Sequence, residues 1–255
     1  MVATAIKVIS LTRDTVRRAT FAERAKDAPI EWSFFDARTS LHPDQIYDET
    51  RARVVKRALL AAELGCFGSH YALWHWLVRS ENDQLIVLED DTIVDWSCLS
   101  SLSQLSLESA RMSYLRLVAT RLPIVRMKAG RIGDRDLIRF LGYAYGTQGY
   151  VISRNGAKQM LEHGRHVERP VDDMLDRTWA HGLANFCVYP FAVKDADSET
   201  TITSASRGSV KVEASLATQR RAYMMAEKSR RAYFLATTMP RLLVQPARIR
   251  ALPSQ

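Results

Sequence analysis

Cysteine is scarce, and none of it has the spacing of a disulfide framework or a zinc site. The chain of 255 residues has only Cys66, Cys98 and Cys187, which are far apart in sequence. An odd number of isolated cysteines without a CxxC pair argues against the class of small disulfide-stapled secreted domains. We therefore expect a protein of a reducing compartment.

Long apolar segments are absent as well. No stretch approaches the roughly 18 consecutive apolar residues of a membrane-spanning helix, and residues 1–11 lack a basic segment followed by an apolar one. We expect neither a transmembrane helix nor a signal peptide. The predicted location is cytoplasmic.

Acidic residues are rare at the C-terminal end. Residues 205–255 contain ten lysines and arginines against Glu213 and Glu227, which equals the net charge of +8 of the whole chain. The change in composition near residues 200–208 predicts a domain over residues 1–204 and a basic tail over 205–255. Such a tail attracts polyanions, for example an anionic membrane surface, nucleic acid or a phosphorylated saccharide.

Alternation of strand and helix patterns indicates an α/β fold. Residues 5–11 and 32–36 are typical of strands, and residues 15–26 between them are typical of a helix, which predicts a βαβ unit in a mostly parallel sheet. Further on, residues 43–64 have a charged helical pattern, Gly65 suggests a break, and residues 66–78 predict an aromatic-rich helix. Other predicted elements are a hairpin within 121–140, a strand in 142–153, a helix over 154–163, a helix from Pro170 and a strand over 185–189.

The most informative stretch is Leu85 to Asp91, Leu-Ile-Val-Leu-Glu-Asp-Asp. Its apolar part fits a strand that is buried on both faces. In extended backbone Glu89 and Asp91 would point to one side and Asp90 to the other. Three adjacent carboxylates repel one another, and a divalent cation with a preference for oxygen ligands, Mg²⁺ or Mn²⁺, would relieve that repulsion. The alternative is a solvated acidic turn.

Several blocks in a fixed order resemble glycosyltransferase family 25, the bacterial lipooligosaccharide and lipopolysaccharide galactosyltransferases, and most of all its β-1,4-galactosyltransferases. The blocks span roughly residues 6–173, and each is weak alone. They are Val8-Ile9-Ser10-Leu11 with Arg17-Arg18, Phe34-Phe35-Asp36-Ala37, Glu63-Leu64-Gly65-Cys66-Phe67-Gly68-Ser69-His70, Val87-Leu88-Glu89-Asp90-Asp91, Gly146-Thr147-Gln148-Gly149-Tyr150-Val151-Ile152-Ser153-Arg154 and, more weakly, Pro170-Val171-Asp172.

The resemblance implies a GT-A-like domain that binds a nucleotide sugar, usually UDP-galactose, and it favours the metal interpretation of the acidic stretch. Asp91, helped by Glu89, would hold Mn²⁺ or Mg²⁺ as Lewis acid and template. Asp90 would face the sugar or ribose, or alternatively make a structural hydrogen bond. The chain departs from the family pattern near Lys194, where glutamine is common.

Donor contacts are predicted at the ends of the first two strands, where open α/β sheets bind ligands. Arg17 or Arg18 would contact the nucleotide, unless they belong to a solvated helix face. Asp36, followed by Ala37, could accept a hydrogen bond from the ribose or uracil. His70 either touches the donor or is a hydrogen-bonded core histidine.

An inverting transfer also needs a base for the acceptor hydroxyl. Asp172 is the first candidate, and neighbouring Asp173 would raise its pKa by like-charge repulsion. Alternatively, both acids only stabilise the helix N-terminus after Pro170.

The tail combines paired arginines with methionine, tyrosine and phenylalanine over residues 212–234. This mixture predicts a basic amphipathic helix that binds the inner face of the inner membrane peripherally, near a lipid-linked saccharide acceptor; the alternative is a helix packed on the domain.

Two other functions remain open. One is a non-catalytic glycan-binding protein, and the other is a nucleic-acid-binding protein, which we do not expect because no nucleic-acid motif occurs.

Overall fold

The computed structural model describes residues 2–196 and 214–244. The strands are β1 (Thr4–Ser10), β2 (Ser33–Asp36), β3 (Ile46–Tyr47), β4 (Gln84–Glu89), β5 (Thr92–Val94), β6 (Tyr114–Arg116), β7 (Val125–Ile132), β8 (Arg135–Leu141), β9 (Gly149–Ser153), β10 (His166–Val167), β11 (Asn185–Tyr189) and β12 (Val193–Asp195). Eight of them form a central sheet in the order β2-β1-β4-β9-β6-β11-β8-β7, accompanied by two small two-stranded sheets, β10-β3 and β12-β5.

The central sheet is mixed, and the expectation of a mostly parallel sheet was wrong. The βαβ unit is confirmed, since β1 pairs in parallel with both β2 and β4. However, β9 lies antiparallel between β4 and β6, and β8 is antiparallel to both β11 and β7. An apolar run indicates that a strand is buried but not its direction, which depends on contacts between segments far apart in the chain.

Helices cover both faces of the sheet. They are α1 (Thr15–Arg24), α2 (Glu49–Val55), α3 (Ala61–Arg79), α4 (Trp96–Gln104), α5 (Arg154–Gly164), α6 (Val171–Leu175), α7 (Thr178–His181) and α8 (Ala217–Val244). Within β4, Ile86 and Leu88 pack on the face covered by α1 and α4, while Leu85 and Val87 pack on the face of α3 and α5. This arrangement confirms that the apolar run is a strand buried on both sides.

Gly65 does not break the helix, contrary to expectation, and residues 43–64 are not one helix. They form β3, α2 and the first residues of α3, which continues through Gly65. Both glycines of α3 lie against the backbone that follows β2. A Cβ on Gly65 would lie 2.6 Å from the carbonyl oxygen of Arg38, and one on Gly68 would lie 2.2 Å from that of Ser40. The glycines therefore permit close packing between α3 and this segment.

The basic helix of the tail is present as α8 and packs on the domain through a stripe at four-residue spacing. Tyr223 contacts Arg51 and Arg169, while Glu227 pairs with Arg177 at 2.7 Å. The predicted boundary between residues 204 and 205 lies outside the described residues. Among the helices in the described ranges, none is long and apolar enough to cross a bilayer.

Candidate active site

The acidic stretch lies at the carboxyl end of β4, where the chain leaves the sheet. Asp90 and Asp91 form a tight turn before β5, which the Thr92 hydroxyl closes by donating a hydrogen bond to the Glu89 carbonyl at 2.7 Å. The alternation of extended backbone therefore ends at Glu89. The three carboxylates diverge from a turn instead of alternating about a strand.

Arg17 joins the two aspartates. It lies in the first turn of α1, immediately after β1, and β1 is the parallel neighbour of β4. Its guanidinium lies 2.5 Å from Asp90 Oδ1 and 2.9 Å from Asp91 Oδ2. The buried Asp90 also accepts a hydrogen bond from the Ser10 hydroxyl at 2.5 Å. Asp90 is thus held by structural contacts on the β1 side.

The Asp91 carboxylate lies in an environment that is unfavourable for its negative charge. Burial raises its pKa to about 6, with further contributions from the charges of Glu89, Asp90 and Asp195, and Arg17 opposes this rise. Asp91 Oδ1 is buried and accepts no hydrogen bond within the described part of the chain. Hard carboxylate oxygens with excess negative charge and one unsatisfied buried oxygen fit an Mg²⁺ or Mn²⁺ ion. Asp91 and Glu89 are the residues that would hold it.

Glu89 is held by two polar side chains. The Thr147 hydroxyl donates to Glu89 Oε1 at 2.5 Å, and His70 Nε2 lies 3.6 Å from the same oxygen. Burial acts to raise the pKa of Glu89, but His70, Thr147 and Arg17 together hold it below its ordinary value. Glu89 therefore stays ionised in a protected position, as a metal-binding carboxylate should.

His70 is the hydrogen-bonded core histidine that its sequence context allowed, and its contact with the donor stays a prediction. Its Nδ1 lies 2.9 Å from the Tyr150 hydroxyl, so it is a hydrogen-bonded core histidine, and its other nitrogen faces Glu89. Cys66, His70 and Glu89 also offer ligand atoms within 4.8 Å of one another. That donor set is softer than the carboxylates of the turn and would suit a different class of ion.

Arg18 and Asp36 form the second part of the site, at the end of β2. Arg18 pairs with Asp36 at 2.5 Å and donates to the Ser10 carbonyl at 2.9 Å. Hydrogen bonds from Arg18 and Thr12 lower the pKa of the exposed Asp36. The Ala37 backbone N–H bonds to the Ser10 carbonyl at 2.8 Å. Arg18, Asp36 and Ala37 therefore meet beside Ser10, next to Asp90.

Asp172 and Asp173 lie in the first turn of α6. Asp173 Oδ1 is 3.5 Å from Arg169, and burial, together with the charge of Asp172, raises the pKa of Asp173 in spite of that arginine. Burial raises the pKa of the Cys66 thiol, and the negative charges of Glu89 and Asp172 raise it further. Asp172 is therefore close enough to Cys66 for its charge to act on that thiol, as the charge of Glu89 does.

Sequence reasoning missed three groups. Thr147 was part of a matched block but was not singled out, and Asp195 reaches Asp91 because β12 pairs with β5. The third is the pair Arg116–Asp176, which positions the turn before Thr147. Only the matched block gave a signal for Thr147; the other contacts arise from long-range pairing and leave no local pattern.

Helix α8 borders the side on which Asp173 lies. Tyr223 contacts Arg169, which pairs with Asp173, and Arg231 lies over the rings of Tyr143 and Trp179 at 5.7 and 5.4 Å. A part of the tail thus contributes to the surroundings of the second acid pair.

Comparison with known proteins gives relatives that match about half of this chain or somewhat more. Relatives include "Glycosyltransferase 25 family member" of Drosophila pseudoobscura pseudoobscura, 31% identical, with 47% of this chain and 19% of the relative covered. "Procollagen galactosyltransferase 2" of Homo sapiens is 28% identical over 52% of this chain and 22% of the relative. "Lipooligosaccharide biosynthesis protein lic2B" of Haemophilus influenzae is 27% identical over 61% of this chain and 62% of the relative.

The match to the insect and human relatives covers about a fifth of their length. The model of the family described as "Glycosyltransferase family 25 (LPS biosynthesis protein)" matches residues 3–175, which include β1, the acidic turn and α6. The chain therefore belongs to glycosyltransferase family 25.

Proposed function

We propose that this protein transfers a hexose, galactose from UDP-galactose, to a lipooligosaccharide or related glycan, with inversion and with the help of a divalent metal ion. The observation that carries the proposal is the buried Asp91 carboxylate, whose Oδ1 has no hydrogen-bond partner within the described residues and whose pKa is raised by burial and by the charge of Glu89. Family membership supports glycosyl transfer in general. The names of the human galactosyltransferase and the Haemophilus lipooligosaccharide protein support galactose as donor sugar and a bacterial glycan as acceptor.

The donor would lie across the ends of β1, β2 and β4. Asp91 and Glu89 would hold Mn²⁺ or Mg²⁺, which when bound supplies charge stabilisation for the leaving diphosphate. Arg17 is placed to donate hydrogen bonds to phosphate oxygens, because its guanidinium lies at Asp91, a proposed ligand of the ion, and at the neighbouring Asp90. Asp36 and the Ala37 backbone, with Arg18 alongside, would bind the nucleoside.

The acceptor would approach from α6. In the transfer, the acceptor hydroxyl oxygen forms a bond with the anomeric carbon, the bond between that carbon and the diphosphate oxygen breaks, and UDP leaves with the bonding pair. The hydroxyl proton passes to a carboxylate base. Asp172 is the proposed base, since Arg169 already pairs with Asp173.

The outer surface of α8 would bind an anionic membrane. Met225 and Tyr233 are exposed by 70% and 73%, and exposed Arg221 and Lys228 lie on the same helix. The packed stripe through Tyr223 and Glu227 leaves these residues facing away from the domain. Apolar side chains among cations are what an interfacial helix needs.

The deciding experiment is a measurement of UDP release from a panel of UDP-sugars, with and without Mn²⁺ and with a lipooligosaccharide acceptor. We expect turnover with UDP-galactose that depends on metal and acceptor. Asp172→Asn should lower kcat by about 10²–10⁴-fold and leave donor binding, measured by calorimetry, unchanged. Binding of UDP-galactose without turnover in the unmodified protein would instead favour a non-catalytic glycan-binding role.

A test of the membrane surface uses sedimentation with vesicles. The unmodified protein should sediment with vesicles that contain anionic lipid and not with neutral ones. The double variant Met225→Ser with Tyr233→Ser should bind these vesicles more weakly. Arg111→Ser, a change of an exposed residue in the loop between α4 and β6, should not weaken the binding. Equal sedimentation of all proteins with both vesicle types would contradict the proposal.

A further inference from the structure

A second group of metal-ligating side chains lies away from the acidic turn. His42 and Asp44 belong to the segment between β2 and β3, and His75 lies in the last part of α3. The three offer ligand atoms within 4.8 Å of one another. His75 Nε2 lies 3.2 Å from Asp44 Oδ2, and His42 Nδ1 lies 3.5 Å from the same oxygen. Nothing in the proposed transfer uses these residues.

From this geometry we propose that His42, Asp44 and His75 form a binding site for a transition-metal ion of the zinc class. In a tetrahedral site with ligand bonds of about 2.0–2.1 Å, neighbouring ligand atoms are about 3.3 Å apart. Both distances to the Asp44 carboxylate have that size. Two imidazoles and one carboxylate, with a water molecule as fourth ligand, are a donor set that zinc accepts.

His75 Nε2 and His42 Nδ1 are the two nitrogen atoms that would bind the ion. His75 Nε2 is buried and has no hydrogen-bond partner in the part of the chain that the structure describes, although it points toward the Asp44 carboxylate. His42 Nδ1 accepts the Asp44 backbone N–H at 3.2 Å, which leaves this nitrogen unprotonated. The ion would replace that contact with a stronger one.

Packing holds the two rings in place. The imidazoles of His42 and His75 lie nearly parallel with centroids 4.7 Å apart, and the Tyr71 ring contacts both. A small rotation of His42 about its side chain would let both nitrogen atoms converge on one ion. The positive charge of Arg79 acts on both histidines, and that of Arg38 acts on His42. Because these cations oppose a bound ion, we expect micromolar rather than nanomolar affinity.

The site would tie the segment after β2 to α3. That segment begins at Ala37, next to Asp36, and already packs on α3 through the hydrogen bond from the Arg38 backbone N–H to the Ser69 hydroxyl at 2.8 Å. A metal ion at its far end would fix the segment at both ends. The inference concerns metal binding and holds whether or not the chain transfers galactose.

The test is calorimetric titration of the metal-free full chain with Zn²⁺. Asp91→Asn serves as background, so that the acidic turn is weakened as a competing site. We expect one bound ion, with affinity lowered at least about tenfold by His75→Gln and by Asp44→Asn. His166→Gln, a change of an exposed histidine that is not among the three ligands, should leave the affinity unchanged. Asp44 is an exposed side chain, so its replacement keeps the fold even if that of His75 does not.

Co²⁺ distinguishes this site from the group that contains Cys66. Bound at two imidazoles and a carboxylate, Co²⁺ should give visible absorption without the near-ultraviolet band of a metal–thiolate bond, and Asp44→Asn should remove it. Failure of the Asp91→Asn chain to bind Zn²⁺, or equal affinity in this chain and its His75→Gln and Asp44→Asn derivatives, would overturn the proposal. A thiolate band that Asp44→Asn leaves unchanged would also overturn it.

Discussion

Arg116 and Asp176 form an ion pair that is shut off from solvent, with Arg116 Nη2 2.7 Å from Asp176 Oδ1. The other carboxylate oxygen accepts the backbone N–H groups of Ala144 and Tyr145 at 2.9 and 2.7 Å. The same guanidinium donates to the carbonyls of Tyr145 and Gly146. The pair therefore fixes the backbone at Tyr145, whose φ of 54° is unusual for a residue with a side chain. Thr147, the partner of Glu89, lies two residues after Tyr145.

Replacement of one member of this pair should be costly. Asp176→Leu leaves the Arg116 charge buried without its carboxylate, and we expect the free energy of unfolding to fall by about 3–5 kcal/mol. Urea denaturation followed by circular dichroism measures this. The double variant Arg116→Met with Asp176→Leu should recover part of the loss because no charge remains unpaired. A double variant less stable than Asp176→Leu alone would contradict this account.

Asp91→Asn should lower the catalytic rate but raise the stability of the metal-free protein. If Asp91 is a ligand of the proposed metal ion, its replacement should lower kcat by about 10²–10³-fold or more in the presence of Mn²⁺. Since burial and neighbouring carboxylates raise the Asp91 pKa to about 6, the ionised form destabilises the metal-free protein at pH 7. The variant without metal should therefore be more stable, by about 1–3 kcal/mol.

The control for this prediction is Asp134→Asn, because the Asp134 side chain is 91% exposed. It should change neither the rate nor the free energy of unfolding. If Asp91→Asn keeps the full rate with Mn²⁺, Asp91 is not a metal ligand. If it loses stability without metal, the repulsion among the carboxylates is not the dominant effect.

The sequence predicted the elements of the site better than their arrangement. The apolar run before Glu89 fitted a strand buried on two faces, and β1, α1 and β2 follow from local patterns. The direction of β9 was missed because the pairing of Gly149 with Leu88 joins segments about sixty residues apart and depends on packing. Asp195 lies near Asp91 for the same kind of reason.

Local rules also misjudged Gly65. Glycine disfavours a helix by about 1 kcal/mol relative to alanine, so a break is a reasonable expectation there. In the fold, α3 continues through this position, and glycine is present because the contact with the Arg38 backbone requires a residue without a Cβ atom. Such a requirement comes from a neighbouring segment and is invisible in the pattern of α3 itself.

Stability should depend on pH through His181. Burial lowers its pKa to about 4, with contributions from the charges of His163, Arg177 and Arg116. Between the ordinary value of 6.5 and about 4, the unfolded chain takes up a proton that the folded chain does not. The free energy of unfolding should therefore fall with decreasing pH in this window, by about 3 kcal/mol from this group.

The measurement is urea denaturation at intervals from pH 7.5 to 4.5. His181→Gln, which can still donate to the Leu175 carbonyl that His181 contacts at 3.1 Å, should show a shallower decline. His166→Gln, at an exposed position, should follow the unmodified protein. Identical slopes for all three proteins would show that His181 does not carry the dependence.

Gly68→Ala should destabilise the fold and weaken donor binding. The added Cβ would lie 2.2 Å from the Ser40 carbonyl oxygen, so the backbone after Ala37 must move away from α3. We expect a loss of about 1–3 kcal/mol, in spite of the higher helix propensity of alanine, and a higher KM for the UDP-sugar because Asp36 and Ala37 adjoin that backbone.

Gly164→Ala is the matched control, since its Cβ would meet only side-chain atoms of Tyr71, Phe67 and Trp74 at 3.1–3.3 Å. Those rings can shift slightly, so the control should lose less stability and keep its KM; equal losses in both variants would show that the backbone contact of Gly68 is not what matters.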